Sequence, residues 1–372
     1  MKFIILKGNL KDGLDAIARV VGDSQSTLPI LKNILIQAAD NRIKVSATNL
    51  ELAVTAFVSG KIIEPGDSTV PLTIFSAIIN NLQAERINIE TEGSTLFVKT
   101  DNYEAKIQGM KAEEFPIIPG VTSEAVPIEI QSATLQDAVS FAVSAAQTTN
   151  ARPELNGVFF NFEAQALILA ATDSFRLAER RISNEAFTAE IRQGFKTIIP
   201  LKAIHEFIRI FKGDEDKVKL FFNHSQILFK SENVEMISRL TGGEFPDYEA
   251  IIPRESETEL LLQKEELMQA LKLTSSFADR LNEIRIVVKD KAKNIEVYAA
   301  SQGLGENRYL IPAKVKGAPL EIIFNWRYLM DGLKGFAGKE IRIAMNGDAR
   351  PVRLDSPGDT SSLYILMPIK VT

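Results

Sequence analysis

Short apolar runs with strand-like alternation are interleaved along the chain with stretches in which apolar and small residues recur at helical spacing. Three segments of the second kind, beginning at Leu10, Leu135 and Leu267, each follow a short apolar strand, at Phe3 to Leu6, Ile128 to Ile130 and Leu260 to Leu262. A second element recurs in the same order. Ile34-Leu35-Ile36 leads through a polar turn to Ile43-Lys44-Val45-Ser46-Ala47-Thr48-Asn49. Val158-Phe159-Phe160 leads likewise to Leu167 through Asp173, and Ile286-Val287-Val288 to Ile295 through Ser301. A third element is a helix opened by Val70-Pro71-Leu72, by Ile199-Pro200-Leu201 and by Phe324-Asn325-Trp326, since Pro or Asn suits a helix N-terminus.

Elements that recur in one order along a chain are the mark of an internal repeat. A closing motif supports it: Glu114-Phe115-Pro116 with Ile117-Ile118-Pro119, then Glu244-Phe245-Pro246 with Ile251-Ile252-Pro253. These Pro-bearing stretches read as linkers, and the last repeat closes on Tyr364-Ile365-Leu366-Met367-Pro368-Ile369. The expected organisation is three similar domains, at 1–125, 126–254 and 255–372. Each has the order strand, helix, strands, helix, strands, with two helices packed on antiparallel sheet, an α+β class. Helices are expected at 10–21, 72–83, 135–146, 201–212, 265–274 and 325–336.

The 372 residues exceed one ordinary core. The hydrophobic share of 45% excludes general disorder. Without cysteine there are neither disulfides nor thiolate metal sites, which fits a reducing cytoplasm. The apolar run after Met1-Lys2 stops at Lys7, too short for a signal-peptide core, and no stretch approaches a membrane span, so a cytoplasmic location is expected. A net charge of −5 argues against a surface basic all over but leaves room for a local basic face. Catalytic chemistry is thin. His205 and His224 have no second ligand nearby, Gly303-Leu304-Gly305 reads as a turn, and Asp173 reads as a strand-end turn residue rather than a catalytic acid. Neither metal nor cofactor is expected.

Several motifs together resemble the bacterial DNA polymerase III beta subunit family, the sliding clamps of replication. They are Thr27-Leu28-Pro29-Ile30-Leu31-Lys32-Asn33, Ala47-Thr48-Asn49-Leu50-Glu51, Glu113-Glu114-Phe115-Pro116, Arg152-Pro153-Glu154-Leu155-Asn156-Gly157, Ala171-Thr172-Asp173-Ser174-Phe175-Arg176-Leu177, Glu244-Phe245-Pro246-Asp247-Tyr248 and Met367-Pro368-Ile369. The resemblance spans essentially the whole chain. It implies a non-catalytic protein with three alike domains, closing head to tail with a second copy into a ring around duplex DNA, which it holds independently of sequence. Helices would line the hole, and DNA polymerase and clamp-loader subunits would dock through short peptide motifs.

The resemblance also assigns residues. The partner-peptide site would use Leu155, Thr172, Ser174, Phe175, Arg176, Leu177, Pro246, Ile251, Ile365, Met367, Pro368 and Ile369, with methionine suited to a surface that must repack for different partners. Arg152, Lys202, Arg209 and Tyr328 would face DNA, and Ile107 and Phe277 would lie at the contact between copies. Among the expected helices, 201–212 is plus two and 325–336 plus one, 135–146 and 265–274 are each minus one, and 10–21 and 72–83 are neutral. This weak positive bias suits phosphate attraction without tight binding. The chain departs from the family where Asp23-Ser24-Gln25 stands in place of a frequent arginine, and where Ala250 and Lys370 do the same at the cleft rim. Three rivals remain: an α+β enzyme, which needs a polar cluster confined to one repeat; a sequence reader, which needs a basic recognition helix; and a scaffold that never touches DNA.

Overall fold

The computed structural model describes residues 1–21, 28–120, 127–149, 151–189, 194–212, 216–290 and 293–370. Asp23-Ser24-Gln25, the boundary at 125–126 and the terminal Val371-Thr372 lie outside these residues. Among them are six α-helices: α1 (Lys7–Ile17), α2 (Leu72–Asn81), α3 (Ser132–Val143), α4 (Leu201–Ile210), α5 (Lys264–Thr274) and α6 (Trp326–Lys334). The repeat therefore holds element for element. Helices α1 and α3 begin three residues before the expected starts at 10 and 135. The chain turns straight from the preceding strand into helix at extended Leu6, and the Lys7 N–H is taken by the Glu85 carbonyl at 2.8 Å. That off-helix partner admits Gly8 and Asn9, poor helix formers, into the first turn. At α6 the Asn325 side chain accepts from the Arg327 N–H, the capping role an asparagine plays there.

Packing gathers the chain into two compact units, chiefly Met1–Ser132 with His205–Leu240, and Ala133–Phe187 with Thr241–Thr372, the strand Phe195–Pro200 belonging to the second. In the first unit, one antiparallel sheet runs in the order Gly60–Glu64, Lys2–Leu6, Arg86–Glu92, Thr95–Lys99, Glu104–Gln108. Another runs through Ile128–Gln131, Lys217–Phe222, Gln226–Lys230, Val234–Arg239, Leu52–Val58, Arg42–Thr48, Asn33–Ala39 and Gly66–Pro71. Helix α1 lies against this second sheet closely enough that a Cβ on Gly13 would stand 2.6 Å from the Val58 side chain, so a larger residue there would push the helix off. The second unit holds one sheet of twelve strands. They run Phe195–Pro200, Gly157–Phe162, Ala166–Thr172, Arg176–Ser183, Ser362–Leu366, Val352–Asp355, Glu340–Met345, Thr258–Gln263, Gly305–Gly317, Asn294–Ser301, Glu283–Val288, Leu320–Asn325.

These orders show how the repeats are joined. The last strand of the second repeat, Val234–Arg239, pairs with Leu52–Val58 of the first, Met236 opposite Val54. The last strand of the third, Ser362–Leu366, pairs in the same way with Arg176–Ser183 of the second, Leu177 opposite Ile365. The linkers are docked rather than free: Phe115 is buried with Ile30 and Leu31, and Tyr248 with Phe159, Leu177 and Ile365. In the second unit the core also buries Tyr364, whose hydroxyl donates to the Tyr328 carbonyl at 2.9 Å, and sets Phe141 edge-on to Phe336 at 5.3 Å.

Candidate functional site

The partner-site residues all fall in the second unit, where three neighbouring strands bring Thr172, Leu177 and Ile365 into register. Leu155, Thr172, Leu177, Ile365 and Pro368 are buried; Pro246, Met367 and Ile369 are half-buried; Phe175 and Ile251 stand out, 61% and 49% exposed. The arrangement is an apolar floor with a few protruding apolar side chains, the form a short apolar peptide can dock on. The C-terminal run is anchored as its strand-like sequence implies, with Ser362–Leu366 in the sheet. Beyond it the Met367 N–H donates to the Phe175 carbonyl at 2.8 Å and the Ile369 N–H to the Ile323 carbonyl at 2.8 Å. Pro368, with no N–H to place, is buried between these two bonds.

Thr172 and Ser174 belong to a turn that the first repeat also contains. Thr172 Oγ1 donates to the Arg176 carbonyl at 2.6 Å and accepts from the Ser174 N–H at 3.1 Å. Asp173 accepts from the N–H groups of Phe175 and Arg176 at 2.9 and 3.0 Å. Thr48, Asn49, Leu50 and Leu52 repeat those bonds, and Leu50 and Ser174 share a φ of 76°. Asp173 is therefore a turn residue, as its sequence position suggested. Arg176, which the resemblance assigns to the partner-peptide site, is held by other side chains of the chain. Its Nε donates to Asp173 at 2.9 Å and its Nη1 to Asp331 at 2.8 Å, and its guanidinium lies 4.2 Å from the centre of the Tyr328 ring. Desolvation opposes the charge, but Tyr364 and the two carboxylates outweigh it and raise the guanidinium further, so it stays charged at any working pH. Asp331, Glu179 and Tyr248 are the contributors that residue spacing alone did not single out. Only Tyr248 carried a signal, as part of the Glu244–Tyr248 motif.

The residues assigned to DNA divide. Lys202 is exposed in the first turn of α4 and Arg152 is exposed beside Glu154, to which its Nε donates at 3.0 Å. Arg209 is committed inward: Nε donates to Glu206 at 2.7 Å, and Nη1 and Nη2 to the carbonyls of Asp15 and Ala16 at 2.6 Å each. It closes the C-terminal end of α1. Tyr328 is half-buried beneath Arg176. His205 and His224 are exposed, and no group of three or more His, Cys, Asp or Glu able to hold a metal occurs among the described residues.

Two strands lie at open positions in this joining pattern. Glu104–Gln108, the last strand of the first repeat, ends its sheet. Gly305–Gly317 is the third-repeat counterpart of Leu52–Val58 and Arg176–Ser183. It pairs with Thr258–Leu262 only through Ala313 to Gly317, which leaves one edge of 305–312 open among the described residues. Hydrogen bonds fix which groups face out. Thr100 N–H to the Tyr103 carbonyl and Gly109 N–H to the Ser94 carbonyl, both 2.8 Å, turn the odd positions inward and leave Glu104, Lys106 and Gln108 facing open space. By the same logic the Ala313 N–H bond to the Lys293 carbonyl, 3.0 Å, leaves Glu306, Arg308 and Leu310 facing out. Ile107 is buried, its backbone turned to the neighbouring strand. Phe277 is half-buried at the start of the other open edge, 4.0 Å from where a Gly305 Cβ would stand.

An α+β triplication with docked linkers, an apolar surface with protruding side chains and two open strand edges defines a modular binding protein. Sequence models of the DNA polymerase III beta subunit match along the chain, the N-terminal domain at 1–119, the central domain at 129–247 and the C-terminal domain at 249–370. The beta sliding clamp of Bacillus subtilis (strain 168) is 30% identical over all of both chains, and that of Synechococcus elongatus 26% identical over all of both. The crystal structure of the DNA polymerase sliding clamp from Bacillus subtilis superposes with a TM-score of 0.95 at 28% identity, covering both chains entirely. The chain belongs to the DNA polymerase III beta subunit family, the beta sliding clamps.

Proposed function

We infer that the protein is the processivity clamp of a replicative DNA polymerase: without catalysing a reaction, it encircles duplex DNA as a homodimer and tethers polymerase and clamp-loader subunits to it. The observation that carries this reading is the pair of open edges. Each internal joint is made by the last strand of one repeat pairing with the fourth strand of the repeat before it. Glu104–Gln108 and Gly305–Gly317 are the two members of that pair left over at the ends of the series. Two copies satisfy both edges at two equivalent heterologous contacts, which closes the assembly. Antiparallel pairing that sets Glu104 opposite Arg308 and Lys106 opposite Glu306 matches outward-facing groups and opposes unlike charges at both places. In this reading Ile107 and Phe277 support the contact from behind the edges. Domain limits of 1–125, 126–254 and 255–372 are supported by the three matched spans, though the third begins at 249, inside the linker that carries Tyr248.

The cleft reading rests on the protruding Phe175 and Ile251 over buried Leu177 and Ile365. The DNA reading rests on exposed Arg152 and Lys202; Arg209 is engaged with α1 and Tyr328 with Arg176, and neither carries it. No helix among the described residues is long and apolar enough to cross a membrane. The absence of cysteine suits the reducing cytoplasm, where we place the protein. The test is retention on DNA after loading. Protein on a closed circle should survive a salt wash that strips it from short linear duplex, and cutting the circle should release it, because topological linkage does not depend on phosphate contacts. Equal retention before and after cutting, with free ends, would show direct binding instead and remove the ring.

A further inference from the structure

The segment that carries Pro246 and Ile251 pairs with no sheet strand along Glu244 to Tyr248, and Glu249–Ile251 is a single 3-10 turn. Its attachment converges on one side chain. Tyr248 is 6% exposed, and its hydroxyl donates to Glu179 Oε2 at 2.5 Å. Glu179 is 5% exposed and stands two residues along the strand from Leu177, so both project from the same face. Its other oxygen accepts from Arg181 Nε at 2.8 Å. Phe159 stacks on Phe245 at 4.8 Å and meets Tyr248 edge-on at 6.4 Å. The Tyr248 carbonyl in turn accepts the Ile251 N–H at 3.2 Å, so the backbone that presents Ile251 starts from this anchored residue. A cavity of about 530 Å³ beside the segment is lined by Pro246, Tyr248, Phe159 and Lys196, so packing alone does not fill the space around it.

We propose that the Tyr248–Glu179 hydrogen bond is a positioning device for partner capture, setting where Pro246 and Ile251 stand relative to Leu177 and Ile365. This rests on the reading of that surface as the partner cleft. The two residues need not touch a partner. A carboxylate buried beside an apolar floor is costly unless its oxygens are bonded, and Tyr248 and Arg181 supply those bonds. Burial, and then the Glu179 charge, push the Tyr248 phenol well above its ordinary range, so it remains a proton donor throughout neutral pH. The latch thus draws the segment toward a buried carboxylate set beside apolar Leu177 and Phe159. A hydrogen bond tolerates little change in length or angle, so it fixes position more sharply than apolar contact does.

The experiment uses the full-length dimer and a fluorescent short apolar peptide taken from a replicative polymerase. Tyr248→Phe should raise the peptide Kd by about tenfold, since a buried acceptor is left unpaired in the free protein and the segment loses its fixed position. Amide exchange at Ile251 and Ile252 should quicken in this variant and slow again at saturating peptide, while dimer mass stays unchanged. Glu179→Gln keeps an acceptor oxygen and should bind better than Glu179→Leu, which has none. Equal Kd values for those two variants overturn the proposal, including where Tyr248→Phe does not fold. A Tyr248→Phe dimer with unaltered Kd, or a weaker Kd with unaltered exchange at Ile251, also overturns it. Met367→Asp is the parallel control. If it abolishes binding while Tyr248→Phe does nothing, the latch fails and the cleft stands; if Met367→Asp binds normally, the cleft reading itself fails.

Discussion

Alternate positions along one edge strand should separate assembly from folding. In Glu104–Gln108 the N–H of Lys106 faces open space, whereas that of Ile107 faces the strand Thr95–Lys99, opposite Leu96. Proline removes a donor and is tolerated in a sheet only where the missing N–H faced outward. Lys106→Pro should therefore leave each copy folded, with a melting temperature close to that of Lys106→Ala. The alanine control removes the same side chain, which lies 5.4 Å from the Phe97 ring centre, without touching the backbone. In the ring, Lys106→Pro deletes one donor at each of two contacts and strands the acceptor opposite it, at about 1–3 kcal/mol per contact. Both contacts must hold for closure, so the dimer loses about 2–6 kcal/mol, which is roughly a thirtyfold to twenty-thousandfold rise in its dissociation constant. Ile107→Pro should do the reverse in order of severity, breaking the inner ladder and removing a buried isoleucine side chain, and should lower the melting temperature of the isolated copy. Light scattering across a dilution series gives the dissociation constant, and calorimetry on diluted protein gives the fold. A Lys106→Pro protein that remains dimeric on dilution at wild-type concentrations would refute the edge-pairing argument, whatever becomes of Ile107→Pro.

Other outcomes follow from the same geometry. Arg308→Glu should weaken the dimer and Glu104→Arg in the same chain should restore part of the loss, most strongly at low salt; failure of the pair to recover would mean the register is different. Lys202→Ala should lower the salt slope of binding to short duplex by about one while leaving the melting temperature alone. Arg209→Ala should lower the melting temperature, because its guanidinium caps α1 through Asp15 and Ala16, and an unchanged melting temperature would contradict that assignment. Removing residues 367–372 should cost stability as well as peptide binding, since two backbone bonds, each worth roughly 0.5–1.5 kcal/mol net, go with them; calorimetry should find Met367→Asp, which keeps both bonds, milder for the fold. Arg176→Ala should destabilise more than Asp331→Asn, because it leaves Asp173, whose side chain is only 12% exposed, without its cation, whereas Asp331→Asn leaves Arg176 still paired with Asp173; equal melting temperatures would sink this ordering.

The repeat was legible in the sequence because strand and helix leave different periods. The elements begun by Leu10, Leu135 and Leu267, and those opened by Pro71, Pro200 and Asn325, all form within a few residues of their expected places. Strand partners were not legible. An apolar run such as Val158-Phe159-Phe160 shows a strand but carries nothing about which neighbour it takes, so the joining of each repeat to the one before appeared only in the fold. The linkers misled in the same way. Their prolines mark irregular backbone correctly, but Phe115 and Tyr248 bury against the sheets, and only their aromatic character hinted at that. Arginines were the least legible of all. Arg152, Arg176 and Arg209 look alike as exposed cations in a sequence, yet Arg152 is exposed and bonded only to nearby Glu154 and Ser174, whereas Arg176 and Arg209 are largely covered and bonded to groups up to 194 positions away.

The two internal joints share a backbone device but differ in side chains, and under the proposed function that difference favours one of them for apolar peptides. At the first, the Arg239 N–H donates to the Glu51 carbonyl at 2.9 Å; at the second, the Met367 N–H donates to the Phe175 carbonyl at 2.8 Å. Each bond closes the end of the pairing between repeats, just past the same Thr-Asx turn, so the backbone device is held in common. The side chains at the two places differ in kind. Glu51 and Arg239 form an exposed ion pair at 3.4 Å, a solvated arrangement that offers a partner's leucine or phenylalanine nothing to bury against. Phe175 and Met367 put an aromatic ring and a flexible thioether at the equivalent spot, beside buried Leu177 and Ile365. Burying a leucine-sized group on such a surface contributes about 1.5–3 kcal/mol before the cost of ordering it. Triplication supplied the same joint twice, and under the proposed function the side chains at its end decide which of the two can hold an apolar peptide.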